Sequence, residues 1–367
     1  MKNRESSTSE RWGHIDLLEV LGIFFVVAYH STTYEYSFMK DGVFIVYLRY
    51  FLRGILSTCV PLFFFANGFL MLNRSFSLEK HIRKTLKLII LAVIWGIITI
   101  FLLMPIKHEH LSIKEFLVVL WRLKEDWIGH LWYLYVLVGI YIFFPLLKIT
   151  YDNYRPAFVF FTVICSVFTF GNRVLDYGIS IIANITGIHN GLIEGNWFRM
   201  FNPFYGTKAY ALAYYCIGGL AYGYGARLQR ISRPKRNCIA VIAIFVSCCA
   251  LFANGVMISR ISGQLWDIVW DGYDHVFTLI NVSMLYVLSL SYDGHIKIIE
   301  VISKNTLGIY LIHMILVYLT KDIVKTVPGA QTWVGCIIYS ATILLCSLGL
   351  TQVMLKLPVL RKLVSLK

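Results

Sequence analysis

The sequence predicts an all-α, polytopic membrane helix bundle, and three observations carry that expectation. Apolar residues make up 58% of the 367 positions and charged residues only 15%, too little polar surface to cover a water-soluble core of this size. Mean hydropathy is +0.67, and apolar runs of about 17 to 25 residues, the length that crosses the hydrocarbon region as a helix, recur along the whole chain. Lys and Arg are distributed unevenly between alternate connecting segments, as the positive-inside rule requires of a multi-pass protein.

In chain order, the polar stretch at residues 1–11 (MKNRESSTSER) reads as a short disordered cytoplasmic tail. The apolar run behind it is long and has no small-residue cleavage site at its end, so it is expected to stay as the first helix. Membrane spans are expected at 14–34, 54–73, 84–105, 131–149, 157–171, 208–226, 239–257, 276–292, 303–320 and 333–355, each bounded by charges or turn residues. Ten spans put both termini on one side. With the N-terminus in the cytoplasm, 21 of the 34 Lys and Arg residues fall inside, and the inside surplus is +13 against +1 outside. The basic run at 227–236 reads as a topology signal in contact with anionic lipid head groups, so nucleic acid is not expected as a partner.

Two outside segments stand out. Residues 172–207 are long and polar enough for a folded loop. Residues 258–275 combine Trp266 and Trp270 with Asp267, Asp271 and Asp274, a mixture that suits sugar stacking and hydroxyl binding, although interfacial Trp belts give the same signal. Gly218, Gly219 and Gly223 have the small-xxx-small spacing of closely packed membrane helices. The eight cysteines lie almost wholly in apolar runs without CxxC pairs or His/Cys clusters, so neither a metal site nor a disulfide framework is expected.

Ionisable groups inside spans are costly and mark candidate sites. The first span carries Asp16, Glu19 and His30, and at about 100° per residue their offsets return to within roughly 40° of one stripe. At about 1.5 Å per residue His30 lies roughly 16 Å beyond Glu19, which places it in the outer part of the bilayer, where a histidine can act as general base on an acceptor arriving from outside. Arg83, Lys84 and Lys87 flank the third span and can pair with phosphates or serve only as a positive-inside flank. His130 opens the fourth span, His313 lies near the middle of the ninth, and Tyr310 one turn earlier can satisfy it as a structural pair.

Five strings, IDLLEVLGIFFVVAYHS (15–31), VPLFFFANGFLML (60–72), HIRKTLKLI (81–89), HLWYLYVLVGIYIFFPLL (130–147) and SKNTLGIYLIHMILV (303–317), occur in an order that resembles the acyltransferase 3 family of integral membrane acyltransferases, which includes bacterial glycan O-acetyltransferases. The resemblance spans nearly the full length, so residues 12–367 are expected to form one such transmembrane domain. It implies an essential histidine at His30, preceded eleven positions earlier by a basic residue; here that position is Glu19. The family's Ser-Gly of the second span is Asn67-Gly68. Paired basic residues at the start of the third span match Arg83, Lys84 and Lys87, which the resemblance assigns to an acyl-CoA donor, acetyl-CoA foremost.

What the resemblance implies is therefore an enzyme of the bacterial cell membrane that moves an acyl group from cytoplasmic acyl-CoA to a hydroxyl of a cell-surface polysaccharide or lipid-linked glycan. His30, Glu19 and Asp16 are its expected catalytic group, and His130, Trp132, His313, Tyr310 and Asn67 its expected substrate contacts. The rival reading is a non-catalytic transporter or polysaccharide-export component of the same fold, which the acid at Glu19 favours and the retained His30 opposes.

Overall fold

The structure, a computed structural model, describes residues 11–193, 195, 208–292, 294 and 296–366. It is all helical, and no strand occurs among the described residues. In chain order the helices are α1 (Gly13–His30), α2 (Phe44–Arg53), α3 (Cys59–Leu72), α4 (Leu78–Lys107), α5 (Ile113–Arg122), α6 (Glu125–Ile128), α7 (Trp132–Asn153) and α8 (Arg155–Ser166). They continue with α9 (Asn172–Ile185), α10 (Tyr210–Gln229), α11 (Arg233–Ser262), α12 (Val276–Ser289), α13 (Lys297–Lys304), α14 (Thr306–Lys325), α15 (Trp333–Lys356) and α16 (Pro358–Val364).

Among the described residues, eight helical runs are long and apolar enough to cross a membrane: Gly13–His30, Phe44–Leu72, Leu78–Lys107, Glu125–Asn153, Arg155–Ile185, Arg233–Ser262, Thr306–Lys325 and Trp333–Lys356. The two other expected spans are helical as well. α10 is diluted by four glycines and five tyrosines, and α12 has only 14 residues, short of a full crossing by itself. The fifth span is longer than its apolar run predicts. A π-helical turn at Val167–Gly171 carries α8 directly into α9, so residues 172–185, expected to begin a loop, are helix instead. Residues 1–10, the bulk of the expected tail, and 196–207 of the expected loop lie outside the described residues.

α3 is the axis of the bundle. Apolar on every side, it buries Cys59 to Ala66 without a break, and Gly68, Phe69 and Leu72 beyond them, as a helix without a polar face must. Backbone approach decides what packs on it. A Cβ at Gly68 would stand 1.8 Å from the carbonyl oxygen of Tyr215, and one at Gly218 would stand 2.0 Å from that of Phe65. Only glycine lets α3 and α10 cross so closely. Gly219 meets Leu72 in the same seam, whereas Gly223 faces Arg155 outside it.

Polar side chains inside the bundle repair breaks in backbone hydrogen bonding. Pro145 within α7 removes the N–H that would reach the carbonyl of Tyr141, and His81 Nε2 donates to that carbonyl at 2.8 Å. Lys148 Nζ donates to the carbonyl of Leu72 at the C-terminus of α3 and to Asp152, both at 2.8 Å. The indole of Trp95 donates to the carbonyl of Leu363 at 2.6 Å, which ties the C-terminal helix α16 to α4. α1 lies against α3, α14 and α15 and closes through Gly22, where a side chain would press on the carbonyl of Cys59 and the ring of Phe63.

Candidate active site

Along α1 the three ionisable residues do lie toward one neighbouring region, the α13–α14 segment, but in two separate groups. Near its N-terminus, Arg11 pairs with Asp16 at 2.5 Å, and Ser303 Oγ lies 2.8 Å from Asp16 Oδ1 and 2.5 Å from Glu19 Oε2. At the other end, the His30 ring stands 5.5 Å from that of His313 on α14.

Two cavities follow this division. A cavity of about 230 Å³ is lined by Glu19, Asn67, Arg74, Lys84, Tyr141 and Tyr310, among others. Within it Lys84 Nζ donates to the Tyr141 hydroxyl at 3.3 Å, and that hydroxyl donates to Asn67 Oδ1 at 3.0 Å. The cations therefore come from α4 and the α3–α4 turn rather than from α1. Arg83 and Lys87, by contrast, lie on the exposed face of α4, and Arg83 is engaged with Glu79 at 2.5 Å. Of the three basic residues assigned to a donor, Lys84 alone lines the cavity. Arg74, which was not among the sequence candidates, joins it because it follows α3 by two residues.

The second cavity, about 600 Å³, is lined by His30, His130 and Trp132 together with Arg53, Lys208 and Trp270, among others. Aromatic rings dominate its wall: Trp132 and Trp270 meet edge to face at 5.4 Å, and Lys208 Nζ lies 4.2 Å and 3.8 Å from their centroids. The loop between α11 and α12 supplies Trp270, and Asp267 of that loop accepts a hydrogen bond from Tyr29 at 3.0 Å. Burial raises the Asp271 carboxyl in the same loop to about 6, and burial lowers the His275 imidazole to about 4.

The layer between the cavities is made of His130, Tyr310 and His313, all buried. His313 Nδ1 lies 2.6 Å from the backbone carbonyl of Tyr310. A carbonyl only accepts, so Nδ1 carries the proton, and in the neutral ring Nε2 is left as a base. That Nε2 is buried without a hydrogen-bond partner among the described residues, as is the Nε2 of His130. Tyr310 thus satisfies His313 through its main chain. Its hydroxyl instead donates to the carbonyl of His130, whose ring stands 6.0 Å from that of His313. Three histidines from α1, the Gly129–Leu131 turn before α7, and α14 converge on one point.

A family profile of the acyltransferase domain matches residues 12–351. The chain belongs to the acyltransferase 3 family. It is also 24% identical over 295 residues to an amino-acid racemase of Enterococcus faecalis, a match that covers 78% of this chain and 37% of that protein. The chain thus spans little more than a third of that relative's length. No solved structure matches it. Family membership and the apolar helices together make this a multi-pass membrane protein of an acyltransferase family.

His30 and His130 are among the residues that line the larger cavity, and His313 meets both rings. Glu19, Asn67 and Tyr310 line the smaller, and Asp16 stands behind Glu19. Arg53, Lys208 and Tyr36 carry no spacing signal of their own and were not among the sequence candidates, whereas Trp270 belongs to the 258–275 segment already marked for its mixture of Trp and Asp. Arg53 ends a helix outside every expected span, where a lone arginine reads as a flanking charge.

Proposed function

We propose that this chain transfers an acyl group, acetyl foremost, from acyl-CoA on the cytoplasmic side to a hydroxyl of an extracytoplasmic glycan. The observation that carries the reading is the pair of cavities at opposite ends of α1, which meet at the His130–Tyr310–His313 layer. The topology assumed is ten crossings with both termini cytoplasmic, in keeping with the Lys and Arg distribution. Labelling of a cysteine introduced at Ile188 should then succeed in intact cells.

In this reading the smaller cavity takes the slender pantetheine arm of the donor. Its volume is too small for the nucleotide, whose phosphates stay at the mouth near Arg74 and Lys84. The thioester is presented at the histidine layer, and the acceptor enters the larger cavity among Trp132, Trp270 and Tyr36. An imidazole Nε2 of His30 or His313 takes the acceptor's hydroxyl proton as its oxygen attacks the thioester carbonyl. The C–S bond breaks, and the proton passes to the departing thiolate to give CoA thiol and the ester.

Export of a polysaccharide by the same fold would need one continuous passage, and the buried Tyr310–His130 hydrogen bond speaks for a barrier at that level. The racemase name belongs to a relative of which this chain matches a minor part, and it adds no residue to the reading. The test is mass spectrometry of surface glycans from cells with and without the gene. Loss of an acyl increment supports the proposal and names the acceptor, whereas identical glycans would overturn it.

A further inference from the structure

Arg53 is the most deeply buried charge in the larger cavity's wall, 1% exposed at the C-terminus of α2. Its Cζ lies over the ring of Tyr36 at 3.9 Å and near that of Tyr29 at 5.2 Å. One Nη donates to Thr32 Oγ1 at 2.8 Å, and its Nε has no hydrogen-bond partner among the described residues. No carboxylate pairs with it among the described residues. The Asp267 carboxylate nearby is engaged instead by the Tyr29 hydroxyl and the main-chain N–H groups of Val269 and Trp270. Glu125 and Asp126, the acids that line the cavity, are exposed.

A buried guanidinium that touches Tyr34 and Thr32 but has no carboxylate partner among the described residues is costly, and removing a partner from such a charge is among the larger penalties a fold can carry. It persists where a ligand supplies the missing anion. Aromatic rings pack against this one, Thr32 holds one edge, and the cavity it lines also presents Trp132 and Trp270 for sugar stacking. Lys208, held over the same two indoles, adds a second cation.

We infer that the acceptor is an anionic sugar, and that Arg53 binds its carboxylate or phosphate group in the larger cavity while a neighbouring hydroxyl faces the histidines. This rests on the larger cavity being the acceptor site, as proposed above, and it narrows the acceptor class. Arg53 is a binding residue in this assignment and takes no part in proton transfer. Neutral sugars can stack in the cavity but leave the charge uncompensated, so they bind worse.

The test is direct binding to the purified full-length chain in lipid nanodiscs without acyl donor, so that turnover does not enter. Calorimetry would compare methyl glucuronide, methyl glucoside 6-phosphate and neutral methyl glucoside. The expected result is that at least one anion binds ten-fold or more tightly than the neutral sugar, and which one does distinguishes carboxylate from phosphate. Arg53→Gln should abolish that preference, Arg53→Lys should retain part of it, and Thr32→Val should weaken it. Because the wild-type preference is itself a readout, a variant that fails to fold leaves the inference testable.

Equal binding of the three sugars, absence of binding by both anions, or a preference that survives in folded Arg53→Gln would overturn the inference. So would an Arg53→Lys enzyme altered in kcat alone with its anion preference intact, which would make the arginine a transition-state group. Acetyl-CoA consumption in the wild type and in His30→Ala reads the acyltransferase proposal separately. Anion selectivity without transfer would fail that proposal only, and transfer to neutral sugars without selectivity would fail this inference only.

Discussion

The two cavities differ in kind, although one helix reaches both. The smaller is narrow, with Glu19 facing Arg74 and Lys84 across an apolar wall, and its polar groups are linked in a chain from Lys84 through Tyr141 to Asn67. The larger is wide and aromatic, with a cation among its buried walls and acids that are exposed, and the Nε2 of its His130 has no hydrogen-bond partner among the described residues. Saturated polar groups hold a shape, and unsaturated ones await a ligand. In the proposed function the first region binds and orients the donor, and the second carries the proton chemistry on the acceptor.

The sharpest way to break that division is at His30. His30→Ala should lower acyl transfer by about 10²- to 10⁴-fold, the usual cost of losing a positioned general base, with unchanged membrane insertion, since alanine is better tolerated than histidine in a span. A fully active His30→Ala protein would remove His30 as the base and leave His313 in that role. Steady-state rates with acetyl-CoA and a measured acceptor decide it.

The next effect belongs to the smaller cavity. Arg74→Gln and Lys84→Gln should each raise the KM for acyl-CoA about ten-fold with little change in kcat, because a charge-assisted contact to phosphate is lost from binding alone. Arg83→Gln and Lys87→Gln, on the lipid-facing or solvent side of α4, should change it less than about two-fold. Equal effects at all four positions would make the basic cluster a general attractor rather than a lined site.

At the boundary, Tyr310→Phe removes the hydroxyl that donates to the carbonyl of His130 and leaves the packing of the ring in place. It should reduce kcat by about three- to ten-fold, in keeping with loss of one hydrogen bond of about 1 kcal/mol, and leave the acyl-CoA KM unaltered. A rise in KM with constant kcat would place Tyr310 wholly in the donor cavity.

The smallest effect is on stability in the loop beside the larger cavity. Burial raises Asp271 from 3.8 to about 6, so between those values the folded chain binds more protons at this site than the unfolded chain. Stability therefore falls as pH rises through that window, and the full cost is present above it. Asp271→Asn keeps an acceptor for the N–H of Asp267 and removes the charge. It should raise Tm by a few degrees at neutral pH, and thermal scans near pH 4 should show the advantage gone.

Much of the fold was legible in the one-dimensional pattern. Eight expected spans reappear as helices long and apolar enough to cross, because the length of an apolar run and its flanking charges are set by the solvent that each residue must meet. The extension of the fifth span through residues 172–185 was not legible. Asn172, Arg173 and Asp176 look like loop residues, yet Arg173 pairs with Asp274 at 2.6 Å and Asp176 accepts the N–H of Gly195 at 2.7 Å, so partners distant in sequence make a polar helix tenable.

The site divides in the same way. His30, Glu19 and His313 could be named from sequence alone, since an ionisable group within an apolar run is conspicuous wherever it falls. That Glu19 and His30 serve different cavities, that Arg83 and Lys87 turn away while Arg74 turns in, and that Arg53 lies buried between Tyr29 and Tyr36 were decided only by the packing of α1, α2, α4 and α14. Hydrophobicity is a property of each residue and survives in the sequence. A site depends on distances between residues far apart in the chain, and those exist only once the helices have packed.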